Sequence, residues 1–192
     1  MNTIYFIRHA QSDRFTKDDR TRPLTEEGMA DSAKVTDVLK DMPISHILSS
    51  PYTRAIQTVS GLAEKKGLSI EQVEDFRERN AGGWHGEDFL KYIEKQWADH
   101  NYSIMGGECL AECQSRNIHA LENVMATYPN ETLAIGTHGT ALSTIINYYK
   151  PEFGFESFMR ILDMMPYVVR MDIDEGRCTL FEEVLSVHKE YK

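Results

Sequence analysis

The sequence predicts an α/β fold: a three-layer sandwich with a mostly parallel central sheet flanked by helices, and a small inserted helical lid. Three observations lead there. Apolar strand-like runs alternate with helical stretches, the pattern of a parallel sheet covered on both faces. Polar motifs stand directly after three of those runs. No linker, internal repeat or low-complexity tract divides the 192 residues, so a single domain over 1–192 is expected.

The elements follow in order. Thr3 to Ile7 is a short, mostly apolar run and reads as a buried strand. Thr25 to Asp41 reads as a helix, capped by Thr25, with Glu26 and Glu27 at the positive end of its dipole. Ile44 to Ser49 is a second strand. Ser50-Pro51 then resembles a helix start, serine as N-cap and proline at the first position, for a helix ending near Gly67. Ser69 to Phe76 is a third strand, and Arg77 to Gly86 a glycine-rich loop. Glu87 to His100 and Glu108 to Tyr128 are helices. Thr132 to Thr137 is a strand and Gly139 to Tyr149 a helix. Tyr167 to Ile173 and Cys178 to Val184 are closing strands, joined by the turn Asp174-Glu175-Gly176. The inserted lid falls at roughly 83–106.

Composition limits the function classes. The formal net charge is −9, which argues against a nucleic-acid or anionic-membrane footprint. A few arginines in a pocket still suit a small anion. Three cysteines are too few and too odd for a disulfide framework, so reduced thiols and the cytoplasm are expected. Met1 to Ile7 lacks the basic flank and long apolar run of a signal peptide, and no stretch is long enough to span a membrane.

The motifs after the strands are Arg8-His9, Ser50-Pro51-Tyr52-Thr53-Arg54 and Thr137-His138-Gly139. Parallel strands bring them to one carboxyl edge, where open α/β sheets bind ligands. Two arginines and two histidines together suit a phosphoryl group. Its equatorial oxygens carry negative charge, and an arginine fork binds two of them at any working pH. Arg8 and Arg54 are the candidates. A neutral imidazole attacks phosphorus, and His9 is placed to do so. His138 can donate to a phosphoryl oxygen, as can backbone amides near Gly139. Glu78 or Asp75, at the next strand-to-loop junction, can protonate the leaving alkoxide. Taken singly, each has a plainer reading. A histidine after a strand is more often a hydrogen-bonded structural group, Arg54 a helix-surface residue, and Glu78 a solvated loop charge. The signal is their coincidence at several strand ends.

On these residues the chain resembles the histidine phosphatase superfamily, the phosphoglycerate mutase-like proteins. Ile7-Arg8-His9-Ala10-Gln11-Ser12 is similar to its arginine-histidine-glycine signature. Pro23-Leu24-Thr25-Glu26-Glu27-Gly28, Ser49 to Thr58, Glu78 before Gly82-Gly83-Trp84-His85-Gly86, Gly106-Gly107-Glu108-Cys109 and Thr137-His138-Gly139-Thr140 match further segments in the family's order. The resemblance implies that His9 carries a phosphohistidine, and that Arg8, Arg54 and His138 clamp the phosphoryl group. It implies Glu78 as proton donor, and Gln11 and Ser12 beside the phosphate. It implies neither metal nor organic cofactor. The chain departs from the pattern at Ala10, where the family has glycine. Phe15 and Asn80-Ala81 replace residues typical of mutases, and the lid has Lys91 and Lys95 but no arginine pair. These departures favour hydrolysis of a small phosphomonoester over a mutase, which must hold a second anionic group. A non-catalytic phosphate-binding module is the third reading. Cys109 and Cys113, with His119 beyond, match no standard zinc spacing and read as buried thiols.

Overall fold

Asn2–Arg8 forms β1, and its sequence NTIYFIR is buried almost throughout. Its side chains alternate between faces, as the pleat requires. Ile4 and Phe6 enter one core cluster, Tyr5 and Ile7 the other. A strand buried on both faces needs partners on both edges. β1 pairs in parallel with β4 (Thr132–Thr137) and antiparallel with β5 (Met164–Asp174). With β2 (His46–Ser49), β3 (Ile70–Gln72) and β6 (Arg177–His188) the sheet order is β3-β2-β4-β1-β5-β6. Among the described strands, only β5 runs against the rest, which makes the sheet mixed at one side. The computed structural model describes residues 1–82 and 89–189.

Helices cover both faces and complete the expected α/β sandwich. α1 (Glu26–Leu39) and α2 (Thr53–Lys66) bury Val35, Leu39, Val59 and Leu62 against Tyr5, Ile7 and Ile47. On the other face lie α3 (Phe89–Ala98), α4 (Leu110–Thr127), α5 (Gly139–Tyr149) and α6 (Phe155–Ile161). They bring Ile93, Leu121, Leu142, Ile145 and Ile161 onto Ile4, Phe6 and Ile135. Each such fully buried aliphatic side chain contributes about 1.5–3 kcal/mol. Thr25 caps α1 by accepting from the Gly28 amide, and Gly67 ends α2 in the left-handed region at φ 66°. Glu175 and Gly176, at φ 46° and 74°, make the two-residue turn between β5 and β6.

Several expected boundaries shift. β2 starts at His46, not Ile44. The third strand shrinks to Ile70–Gln72 and is followed by a 3-10 turn, Glu74–Phe76. α2 starts at Thr53 with Tyr52 as N-cap, so Ser50 is not the cap. The Ser50 hydroxyl is instead committed to His138 at 2.8 Å. α4 starts at Leu110, because Cys109 and Glu112 form a capping box. α6 has no counterpart among the elements the sequence predicts. Of the presumed lid and its loop, Gly83, Trp84, His85, Gly86, Glu87 and Asp88 lie outside the described residues, and α3 is the helical part seen. Among the described residues no helix is long and apolar enough to cross a membrane.

Candidate active site

The three motifs do meet at one edge, because β1, β2 and β4 are parallel. The His9 amide donates to the Thr137 carbonyl at 3.0 Å, which continues the β1–β4 ladder by one residue. This sets the His9 and His138 rings edge to face, with centroids 5.2 Å apart. Ala10, where a glycine was the expected family residue, does not adopt positive φ. It is fully buried, and its amide donates to the Thr58 hydroxyl at 3.0 Å. The methyl group is therefore accommodated without backbone strain.

His9 is held by both ring nitrogens. Nδ1 lies 2.7 Å from the Ala10 carbonyl, so it carries the hydrogen and donates. Nε2 then accepts from Arg54 Nε at 3.2 Å. Burial, followed by the charges of Arg54 and Arg8, pushes the His9 pKa well below its ordinary 6.5. The imidazole is neutral, and its Nε2 lone pair accepts from Arg54. His138 is completely buried, and burial, then Arg54 and His9, likewise push it well down. Its Nε2 meets the Ser50 hydroxyl at 2.8 Å. Its buried Nδ1 has no hydrogen-bond partner among the described residues.

Arg54 leaves the first turn of α2 and is almost fully buried. Besides His9 it contacts the Asp19 carbonyl, and it lies 3.2 Å from the Asp19 carboxylate. Its guanidinium stands 5.1 Å over the Tyr52 ring, which also faces His138 at 5.0 Å. Arg8 reaches the Ile161 and Leu162 carbonyls at the C-terminal end of α6, at 2.5 and 3.0 Å. Carbonyl ends of helices suit cations. Gly139 allows this approach: a Cβ there would stand 3.2 Å from the Arg8 guanidinium.

The remaining expected residues sort as follows. The Glu78 carboxylate accepts from the Thr140 and Ala141 amides, both at 3.0 Å, and from the Arg79 amide at 2.8 Å. The first-turn amides of α5, expected to face a ligand, are thus given to Glu78. Asp75 instead forms a surface pair with Arg77 at 2.7 Å. The Gln11 amide oxygen accepts from the Thr25 hydroxyl at 2.9 Å, and Ser12 bridges to Leu24. Both border a cavity of about 620 Å³ that also touches Phe15, His188 and Lys189. A cavity of about 730 Å³ opens beside α4, near Asp75, Arg116 and His119. His9, His138, Arg8 and Arg54 line neither cavity, so Gln11 and Ser12 border a space beside the histidine pair rather than around it. Asp19 and Tyr52 join the site without having been singled out. Tyr52 lay inside a quoted motif, whereas nothing in the run Lys17-Asp18-Asp19 marks the one carboxylate that reaches Arg54.

Cys109 caps α4, and burial pushes the Cys113 thiol up to about 12. Among the described residues no cluster of three or more His, Cys, Asp or Glu could hold a metal ion.

Comparison with known proteins adds the lineage. The model of the histidine phosphatase superfamily (branch 1) matches residues 4–182. The uncharacterized phosphatase PhoE of Bacillus subtilis (strain 168) is 28% identical over 150 residues, 76% of either chain. The probable phosphoglycerate mutase GpmB of Erwinia tasmaniensis is 26% identical over 159 residues, 77% of this chain and 74% of its own. The solved structure of Bacillus stearothermophilus YhfR superposes with a TM-score of 0.75 at 24% identity, covering 94% of this chain and 95% of its own.

Proposed function

The chain belongs to the histidine phosphatase superfamily (branch 1), and from that premise we propose that it hydrolyses small phosphomonoesters through a phosphohistidine on His9. The family and the named relatives establish the coarser statement, an enzyme of phosphatase or mutase type. The finer reading, a histidine acid phosphatase-like phosphoric monoester hydrolase, rests chiefly on one observation. His9 is a buried neutral imidazole whose Nδ1–H is tied to the Ala10 carbonyl, so its Nε2 lone pair points to Arg54. A nucleophile and an anion clamp share one contact.

The chemistry then runs in two steps. Nε2 attacks phosphorus, and the P–O bond to the alcohol breaks. Glu78 gives its proton to the departing oxygen. Arg54 and Arg8 supply the positive field. His138, with Ser50 donating to Nε2, offers Nδ1–H to a phosphoryl oxygen. Gln11, Ser12 and the backbone at Gly139 border the phosphate. Water, deprotonated by the Glu78 carboxylate, next attacks phosphorus. The P–N bond breaks, and its electrons return to Nε2. No metal or organic cofactor enters this scheme. The described part of the inserted segment, residues 89–106 with α3, is read as the lid of a single domain. The net charge of −9 speaks against nucleic-acid or anionic-membrane partners, and three cysteines, too few and too odd for a disulfide framework, suit a cytoplasmic enzyme.

The relationship to GpmB keeps a mutase in contention. One experiment separates the readings. Phosphate release from nitrophenyl phosphate is measured without metal for wild type and His9→Ala, alongside isomerisation of a phosphoglycerate. Release by wild type alone supports the proposal. Isomerisation without release makes the chain a mutase. Equal rates in both proteins remove His9 from the chemistry.

A further inference from the structure

Glu78 is fixed from two sides. Three amides orient its carboxylate. Its backbone is held by Arg116, which projects from α4 with its side chain only 11% exposed. Arg116 NH1 donates to the Asp75 carbonyl at 2.7 Å and the Arg77 carbonyl at 2.9 Å. NH2 donates to the Glu78 carbonyl itself at 3.2 Å. The opposite edge of the guanidinium forms a bidentate pair with Glu108, Nε to Oε1 at 2.6 Å and NH2 to Oε2 at 2.8 Å. Glu108 Oε2 also accepts from the Asn80 amide at 3.3 Å. Residues 77–80 belong to no described helix or strand. Their place is set by this cluster rather than by a ladder.

We propose that Arg116 and Glu108 are positioning residues for the proton donor, holding the Glu78 segment where its carboxyl meets the leaving oxygen. This rests on the reading of Glu78 as general acid. The geometry carries the inference. Arg116 uses all three nitrogens, and three of its acceptors are carbonyls within the four residues that end at Glu78. A planar fork does this, whereas a lysine offers one point charge. Misplacing a catalytic group by about 1 Å costs up to ~10²-fold in rate.

The consequence is selective. An alkoxide leaving group needs the proton, whereas a dinitrophenolate departs without it. The measurement is the rate of phosphohistidine formation, read as the burst of released alcohol or phenol. It is made for alkyl, nitrophenyl and dinitrophenyl phosphates with wild type, Glu78→Gln, Arg116→Gln, Arg116→Lys and Glu108→Gln. Thermal unfolding checks each protein. The expected result is a ~10–100-fold loss on alkyl esters in Arg116→Gln, less than about threefold on the dinitrophenyl ester, and the same pattern in Glu78→Gln. Glu108→Gln and Arg116→Lys should fall between these and wild type. If Glu78→Gln shows no dependence on the leaving group, the acid assignment itself is lost. If Glu78→Gln is selective and folded Arg116→Gln loses rate equally on every ester, or loses none, the positioning role is overturned. Should Arg116→Gln fail to fold, the other two variants decide: wild-type leaving-group dependence in both overturns it as well.

Discussion

Acidification is the most direct test of how His9 and His138 are held. In the unfolded chain each imidazole takes up a proton near 6.5, and in the fold both stay neutral well below that value. Unfolding therefore takes up protons once the pH is below about 6.5. The stability due to neutral burial is fully present above that pH and is lost as the pH falls through it. Proton uptake by the unfolded chain bounds the loss from about pH 7.5 to about pH 5.5 at RT ln(1 + 10), about 1.4 kcal/mol per histidine at most. For the pair the limit is about 2.8 kcal/mol, a sizeable share of an ordinary domain stability of about 5–15 kcal/mol. Urea unfolding at the two pH values reads this, with wild type, His9→Gln, His138→Gln and the double variant compared at matched m-values. Carboxylates titrate alike in all four proteins and cancel in the differences. Each single variant should lose less than wild type, by up to about 1.4 kcal/mol, and the double by up to about 2.8 kcal/mol. A single variant with the wild-type pH dependence would show that its imidazole is not kept neutral by burial.

Two further outcomes follow from single contacts. The Asp19 carboxylate lies 3.2 Å from Arg54 and competes with any entering anion, so Asp19→Asn should tighten inhibition by inorganic phosphate. A partly exposed pair of about 0.5–1 kcal/mol corresponds to roughly two- to fivefold, and unchanged or weaker inhibition would contradict the competition. A Cβ on Gly28 would collide with the Gln11 carbonyl backbone, so Gly28→Ala should destabilise the protein by about 1–3 kcal/mol in urea unfolding. Stability within about 0.5 kcal/mol of wild type would show that the α1 start yields freely.

Much of this architecture is legible from sequence where one cause dominates. β4 and α5 have the expected bounds because an apolar run, a histidine and a glycine follow one another without competing signals. Thr25 caps α1 as its chemistry suggests. The errors come from groups whose partner is distant in sequence. Ser50 has the makings of an N-cap, but its hydroxyl is taken by His138, 88 positions away. The sequence carries no signal for α6, whose seven residues follow Lys150-Pro151 and lack a side-chain cap. What holds it is tertiary: Phe158 and Ile161 enter the core, and its terminal carbonyls receive Arg8. The residue types of the site were visible at positions 8, 9, 54, 78 and 138. The setting of Glu78 on the first turn of α5 was not, since it depends on Arg116 and Glu108 as well as on Glu78 itself.

The placement of β1 has a consequence during synthesis. The strand that ends at Arg8 leaves the ribosome long before its parallel neighbour: Asn2 meets Glu131, 129 residues on. At about 5–20 residues per second, the nascent Ile4-Tyr5-Phe6-Ile7 run waits roughly 6–26 s for that partner. Its second neighbour, β5, arrives later still. During that interval a stretch destined for burial on both faces has no sheet to join. Newly made chains are therefore open to misassociation through β1 during that interval, and holding that segment apart is where a chaperone would act.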